Sequence, residues 1–187
     1  MDRIGGGEEL GNRNRTDVDV PPDVSFVLIA AVAEDSTIGD DGRVPWDYPA
    51  DMRHFEATTT GHPVVLGRRT YEGIVAGLGE PLPDRTSVVL TRKERSFPPG
   101  AVRAGSVPEA VALAVEDARE RGVERVYVAG GATVYGQFLD LADRMVLTDV
   151  PGEYGGDTRF PAVDGENWRV VDREREGDLT YVAYERR

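Results

Sequence analysis

The chain predicts one α/β domain built on a mostly parallel sheet, and three observations carry that expectation. First, several short apolar runs rich in β-branched residues, such as Val24–Ala33, are nearly continuous, as strands buried on both faces are. Second, these runs alternate with helical patterns, the order that lays helices on both sides of a parallel sheet. Third, the last two runs are joined only by Glu176-Gly177-Asp178, so they form an antiparallel hairpin at the sheet edge. The expectation is a central sheet of about eight strands with about four flanking helices. Residues 1–22 read as a polar, disordered extension and 23–187 as the domain.

In order, the extension holds Gly5-Gly6-Gly7 and ends in Pro21-Pro22, with too little apolar surface to offset its ordering entropy. Strand Val24–Ala33 leads into a loop, Glu34–Val44, with hinge-like Gly39 and Gly42. A helix starts at Pro49, where a missing N–H costs nothing, and runs to about Thr59. Strand His62–Gly67 passes straight into a helix at Arg68 that fades in the glycine-rich Val75–Gly79. Pro81-Leu82-Pro83-Asp84 is a rigid turn before strand Thr86–Thr91, and Ala101–Ala104 is a short strand. Ser106 caps the next helix, with Glu109 completing a capping box and Val107, Val111 and Val115 on its apolar face. Strand Arg125–Ala129, turn Gly130-Gly131, helix Ala132–Leu141 and strand Arg144–Val150 follow. The hairpin strands are Trp168–Glu174 and Leu179–Glu185.

Composition narrows the function classes. Cysteine is absent, which excludes disulfides and thiolate metal sites and suits a reducing cytoplasm. The start of the chain lacks the basic-then-apolar pattern of a secretory signal, and no apolar run reaches the ~20 residues of a membrane span. Asp and Glu total 34 against 22 Lys and Arg, for a net charge of −12 that opposes binding to nucleic acid or anionic membrane. Lys93 is the sole lysine. Acid excess with lysine depletion resembles proteins of salt-loving cytoplasm, where high ionic strength screens self-repulsion. The melting temperature should therefore rise between low and molar KCl; a flat or falling curve would remove that reading.

Asp51 attracts attention by its company. It falls in a first helical turn, where a carboxylate favours the positive end of the helix dipole. Trp46, Tyr48, Met52 and Phe55 lie within reach and are expected to wall it in. Alone, it reads first as an ordinary helix-start acid in water, since acids are enriched in that turn. Two strands end in glycine and pass at once into helices, at Gly67-Arg68-Arg69-Thr70 and at Ala129-Gly130-Gly131-Ala132-Thr133. Strand ends of open α/β sheets bind ligands, and a helix N-terminus there presents N–H groups to phosphate. Glycine also ends strands for plain turn reasons. Neither stretch is a Gly-x-Gly-x-x-Gly fingerprint.

These residues resemble dihydrofolate reductase. The landmarks run in the family's order from about Val24 to Arg187: Leu28-Ile29-Ala30-Ala31, Ile38-Gly39, Val44-Pro45-Trp46, Pro49-Ala50-Asp51-Met52, Gly67-Arg68-Arg69-Thr70-Tyr71 and Pro81-Leu82-Pro83-Asp84-Arg85. Val128 to Tyr135, Leu147-Thr148 and Gly156 to Pro161 complete them. With the acidic composition, the expected source is a halophilic archaeon. The resemblance implies NADPH-dependent hydride transfer to C6 of 7,8-dihydrofolate with protonation at N5, by a cytoplasmic monomer with no nucleic-acid or membrane partner and no metal.

It also implies roles. Asp51 is the acid of the pteridine pocket, steadied by Thr148 and accompanied by Trp46 in the catalytic group. Ile29, Ala30, Ala31, Phe55, Ile74 and Leu82 line the pterin and benzoyl groups, and Arg85 holds the glutamate tail. Arg68 takes the adenosine 2′-phosphate with Thr91 and Arg92 close by. Thr70, Gly130, Gly131 and Thr133 meet the pyrophosphate, with a cis bond between the two glycines. Ala31, Ile38, Gly39, Gly67, Arg69, Ala129, Ala132 and Tyr135 are further cofactor contacts. Gly39–Trp46 is a lid over nicotinamide, and Val75–Glu80 is an insertion beside the tail site. The alternatives are the related reductase of riboflavin synthesis and a nucleotide-binding module without catalysis, which needs no buried Asp51.

Overall fold

The computed structural model describes residues 18–187. Its strands are β1 (Ser25–Ala33), β2 (Thr37–Gly39), β3 (Pro63–Gly67), β4 (Thr86–Leu90), β5 (Ala101–Ala104), β6 (Arg125–Val128), β7 (Arg144–Val150), β8 (Thr158–Arg159), β9 (Trp168–Glu176) and β10 (Leu179–Arg186). The helices are α1 (Pro49–Thr59), α2 (Arg68–Leu78), α3 (Val107–Arg121) and α4 (Ala132–Phe138), with a 3-10 turn at Gly165–Asn167.

Eight strands form one sheet in the order β5-β4-β3-β6-β1-β7-β10-β9. From β5 to β7 every pairing is parallel, while β10 runs antiparallel to both β7 and β9. The carboxyl ends of β1, β3, β4, β6 and β7 therefore line one edge. The period of two along β1 sorts its side chains between layers. Phe26 and Leu28 join Val65, Val88 and Val126 under α3 and α4. Val27 and Ile29 face the other way, with Val64, Leu66 and Tyr127, toward Phe55 of α1 and Tyr71 and Ile74 of α2. Both faces are covered, which is why these strands read as unbroken apolar runs.

Four local expectations change. The loop expected at Glu34–Val44 contains β2, which pairs with β8 in a separate small sheet. There Gly156 passes so close that a Cβ would stand 2.4 Å from the Gly39 carbonyl oxygen and from Thr37 Cγ2, so only glycine fits. The helix expected to fade after Ile74 continues to Leu78 and ends on Gly79, in the left-handed conformation a glycine cap supplies. Helix α4 stops at Phe138, short of Leu141. Ser106 does accept from the Glu109 N–H (3.3 Å), but the Glu109 carboxylate reaches back to the Gly105 N–H (2.7 Å) rather than to Ser106. The extension as far as residue 17 lies outside the described residues. Val18 and Val20 pack against the core, so packing begins before residue 23.

Candidate active site

Helix α1 carries Asp51 to the carboxyl edge of the sheet. Pro49 sits in its first turn and Tyr48 offers no side-chain cap, so the acid is the first-turn partner of the helix dipole. Asp51 Oδ1 accepts a 2.7 Å hydrogen bond from Thr148 Oγ1, across 97 residues of sequence. Thr148 is 2% exposed, and in the sheet it lies between Ala31 of β1 and Tyr181 of β10. Burial raises the Asp51 pKa above the usual carboxylate range, while the Thr148 bond and nearby His54 pull it down. A carboxylate held this way is short of solvent and still has acceptor capacity for a ligand's N–H groups.

The wall differs from the expected one. Met52 is 66% exposed on the outer side of α1 and takes no part. Trp46 and Tyr48 do pack near Ala31, against Val150, Leu179 and Tyr181, and Trp46 meets Tyr154 edge-on at 5.0 Å. Phe55, Ile74, Leu82 and Ile29 group in the neighbouring apolar cluster, so the residues expected around the pterin and benzoyl groups share one side of the sheet. Ala30 packs on the opposite cluster. The Tyr135 hydroxyl, buried and with its pKa pushed up by that burial, donates to the Ile29 carbonyl at 2.6 Å.

Arg85 ends this apolar wall. It is 6% exposed, donates to the Pro83 carbonyl (2.9 Å) and to Thr59 Oγ1 (3.0 Å), and lies 5.9 Å from the Phe55 ring centroid. Among the described residues it joins no salt bridge. Two of its five N–H groups are used, leaving donors for a carboxylate.

The phosphate edge forms where β3 and β6 end. The Gly67 N–H donates to the Gly130 carbonyl (2.8 Å), and the Gly130-Gly131 peptide is cis as expected. Gly130 has φ +108° and a Cβ there would meet the Tyr135 ring at 3.1 Å. Neither α2 nor α4 has a side-chain cap, so their first N–H groups stay available. Arg68 and exposed Arg69 open α2 beside Thr70, whose Oγ1 lies 3.5 Å from the Cβ position of Gly131. Ala129, Ala132 and Thr133 continue this edge on the β6 side. Thr91, Arg92 and Lys93 follow β4, with Thr91 Oγ1 accepting from the Lys93 N–H at 3.2 Å. This set fits a dinucleotide phosphate: uncapped helix starts, a glycine pair without side chains, and clustered cations.

Arg68 is not idle. Its Nη1 donates to both carboxylate oxygens of Glu72, at 2.9 and 3.0 Å, and Glu72 also accepts from Arg95 at 2.8 Å. Glu72 and Arg95 were not among the expected residues; the Arg68–Glu72 spacing of four on a helix was the available signal. Ile38 and Gly39 sit on β2, which pairs with β8 outside the main sheet, and Ile38 packs against the main core. The loop between Gly39 and Trp46 is tied down at its acid-rich tip, where the Asp41 N–H donates to Asp157 (3.1 Å) and the Asp157 N–H donates to Asp40 (3.3 Å). At the base of this region Asp35 accepts from the N–H groups of Gly155, Tyr154 and Thr37, which hold its pKa down to about 2.

Comparisons with known proteins agree with this arrangement. The family model described as dihydrofolate reductase matches residues 25–186. Dihydrofolate reductase HdrB of Haloferax volcanii is 50% identical over 181 residues, covering 97% of this chain and 92% of its own. Dihydrofolate reductase 1 of Haloarcula marismortui is 35% identical, covering 88% and 92%. Both relatives come from salt-loving archaea. Among solved structures, a dihydrofolate reductase from Enterococcus faecalis complexed with NADP(H) and RAB-propyl superposes with a TM-score of 0.74 at 29% identity, covering 87% of this chain and 96% of that one.

Proposed function

Because the chain belongs to the dihydrofolate reductase family, we propose that Asp51 is the acid around which it reduces its substrate. The reaction is the NADPH-dependent reduction of 7,8-dihydrofolate to tetrahydrofolate. The observation that carries the residue assignment is the partly buried Asp51 carboxylate held by Thr148 at the edge where the strands end. NADPH, when bound, supplies the hydride.

Asp51 accepts the parallel N3–H and 2-amino hydrogen bonds of the pterin, a fork that fixes the ring's orientation. Thr148 holds the carboxylate in that plane. Protonation at N5 puts positive charge on the pterin, and a fixed negative charge in a site poor in water stabilises that cation, the form that accepts hydride at C6. Asp51 does not deliver the N5 proton itself; a water reaching N5 does, and Trp46 closes that side of the pocket. The side chains of Ile29, Phe55, Ile74 and Leu82 offer apolar surface to the pterin and benzoyl rings, beside backbone at Ala30 and Ala31. Arg85 binds the glutamate α-carboxylate with its remaining N–H groups.

The uncapped starts of α2 and α4 hold the pyrophosphate, with Gly67, Thr70, Gly130, Gly131 and Thr133 around it. Arg68 and Arg92 hold the 2′-phosphate. For Arg68 that means leaving Glu72, a surface pair worth at most ~1 kcal/mol, for a stronger charge-assisted partner. Arg68→Ala should weaken NADPH by on the order of tenfold, roughly 1.4 kcal/mol, and NADH hardly at all. Titrations giving equal losses for both cofactors would remove Arg68 from the 2′-phosphate.

A cytoplasmic monomer remains our reading of its state. The outer edge strand β9 carries Arg173-Glu174-Arg175-Glu176, an alternation of charge that guards an edge against pairing. The deciding assay is oxidation of NADPH in molar KCl with dihydrofolate, repeated with the pyrimidine intermediate of riboflavin synthesis. Turnover of dihydrofolate supports the reading, and its absence at every salt concentration defeats it.

A further inference from the structure

We propose that His54 is a positioning residue for Asp51, an imidazole whose protonation holds the pocket carboxylate ionised. The proposal rests on the assignment of Asp51 as the pocket acid. The two residues lie three apart on α1 and so share one face of the helix. Opposite that face, sheet register aligns Thr148 of β7, Tyr181 of β10 and Glu174 of β9 in one row. Thr148 bonds Asp51, and Tyr181 stacks on His54 with ring centroids 3.9 Å apart and planes 19° from parallel. For packing alone an aromatic hydrocarbon would serve. Instead His54 Nε2 is enclosed without a hydrogen-bond partner, an arrangement that costs about 1–3 kcal/mol.

The charged groups acting on the imidazole are Asp51 from its own helix and Glu174 and Glu176 from β9, and Tyr181 of β10, itself within the field of Arg53, donates its hydroxyl to Glu176 at 3.1 Å. Burial lowers the proton affinity of His54 overall, against the opposing pull of Asp51, Glu174 and Glu176. Burial moves Asp51 the opposite way, and each of the two charges acts on the other's proton binding. A protonated His54 favours the Asp51 carboxylate. A neutral His54 lets Asp51 keep its proton to higher pH. By linkage, each residue shifts the other's proton binding by the same factor.

The chain has two histidines, His54 and His62, so both imidazole Cε1–H signals can be followed by proton NMR, with His62→Gln assigning them. Asp51→Asn should weaken proton binding at His54 by about threefold or more and leave His62 unmoved. His54→Phe, which keeps the stack, should strengthen proton binding at Asp51 by the same factor, read from the pH profile of single-turnover hydride transfer. His54→Gln should do likewise should the Phe variant fold poorly. An unmoved His54 signal in Asp51→Asn overturns the proposal. So does a His54→Phe profile with a lower plateau and an unchanged midpoint, which would make the ring packing only. The NMR arm needs no turnover, so it can fail while Asp51→Asn still abolishes hydride transfer, and the reverse.

Discussion

Asp51→Asn should slow hydride transfer by about three orders of magnitude, roughly 4 kcal/mol of barrier, while raising the melting temperature. The rate loss follows from removing a fixed negative charge placed for the pterin, since an amide of the same shape cannot stabilise the N5-protonated cation that accepts the hydride. The gain in stability follows from burial. The folded pKa of Asp51 lies above its unfolded value. The stability linked to it is therefore fully present below the unfolded value and lost as pH rises through the folded one. At neutral pH the ionised carboxylate is a load on the fold, which asparagine removes while still accepting from Thr148. The rise should be on the order of a few degrees near neutrality and should vanish in acid, where the wild-type carboxyl is protonated. Single-turnover rates and melting curves across pH test both halves. A rate loss under tenfold, about 1.4 kcal/mol, would leave Asp51 as a helix-start acid. A melting temperature lowered at neutral pH would mean the charge is satisfied by the fold itself.

The same residue marks what could be read from sequence. The buried strands β1 and β3 declare themselves, because a run apolar at nearly every position needs cover on both faces. Strands β2 and β8 do not, being three and two residues long and existing only because distant segments meet at Gly39 and Gly156. The glycines Gly77 and Gly79 argue for an early end to α2. Ile74 and Val75 packing on the Leu66 and Tyr127 side of the core carries the helix past the first of them. Proximity in sequence placed Met52 in the pocket wall, where helical rotation turns it outward. Thr148 and Arg85 were named from the family's landmarks, and their contacts with Asp51 and Thr59 are tertiary facts with no local signature. His54 had a signal, three residues from Asp51. Its partner Tyr181 had none, because sheet order decides what lies opposite α1.

Arg85→Lys should raise the KM for dihydrofolate by on the order of a hundredfold, about 2.7 kcal/mol, and leave kcat at saturation nearly unchanged. A guanidinium 6% exposed is costly to bury, and here it is met by the Pro83 carbonyl and Thr59 Oγ1. Burial pulls its proton affinity down and the charges of Glu56 and Asp84 push it back. No carboxylate pairs with it directly among the described residues. A substrate α-carboxylate would supply that partner in fork geometry, desolvated by the same burial that makes the lone cation expensive. Lysine keeps the charge but offers a point rather than a fork, so charge alone does not restore binding. The net charge of −12 sharpens the dependence, since no broad positive field compensates for losing one local donor. A pteroate substrate without the glutamate should bind both proteins equally. If both substrates weaken together, Arg85 acts by anchoring Thr59 at the end of α1, and the tail carboxylate binds elsewhere.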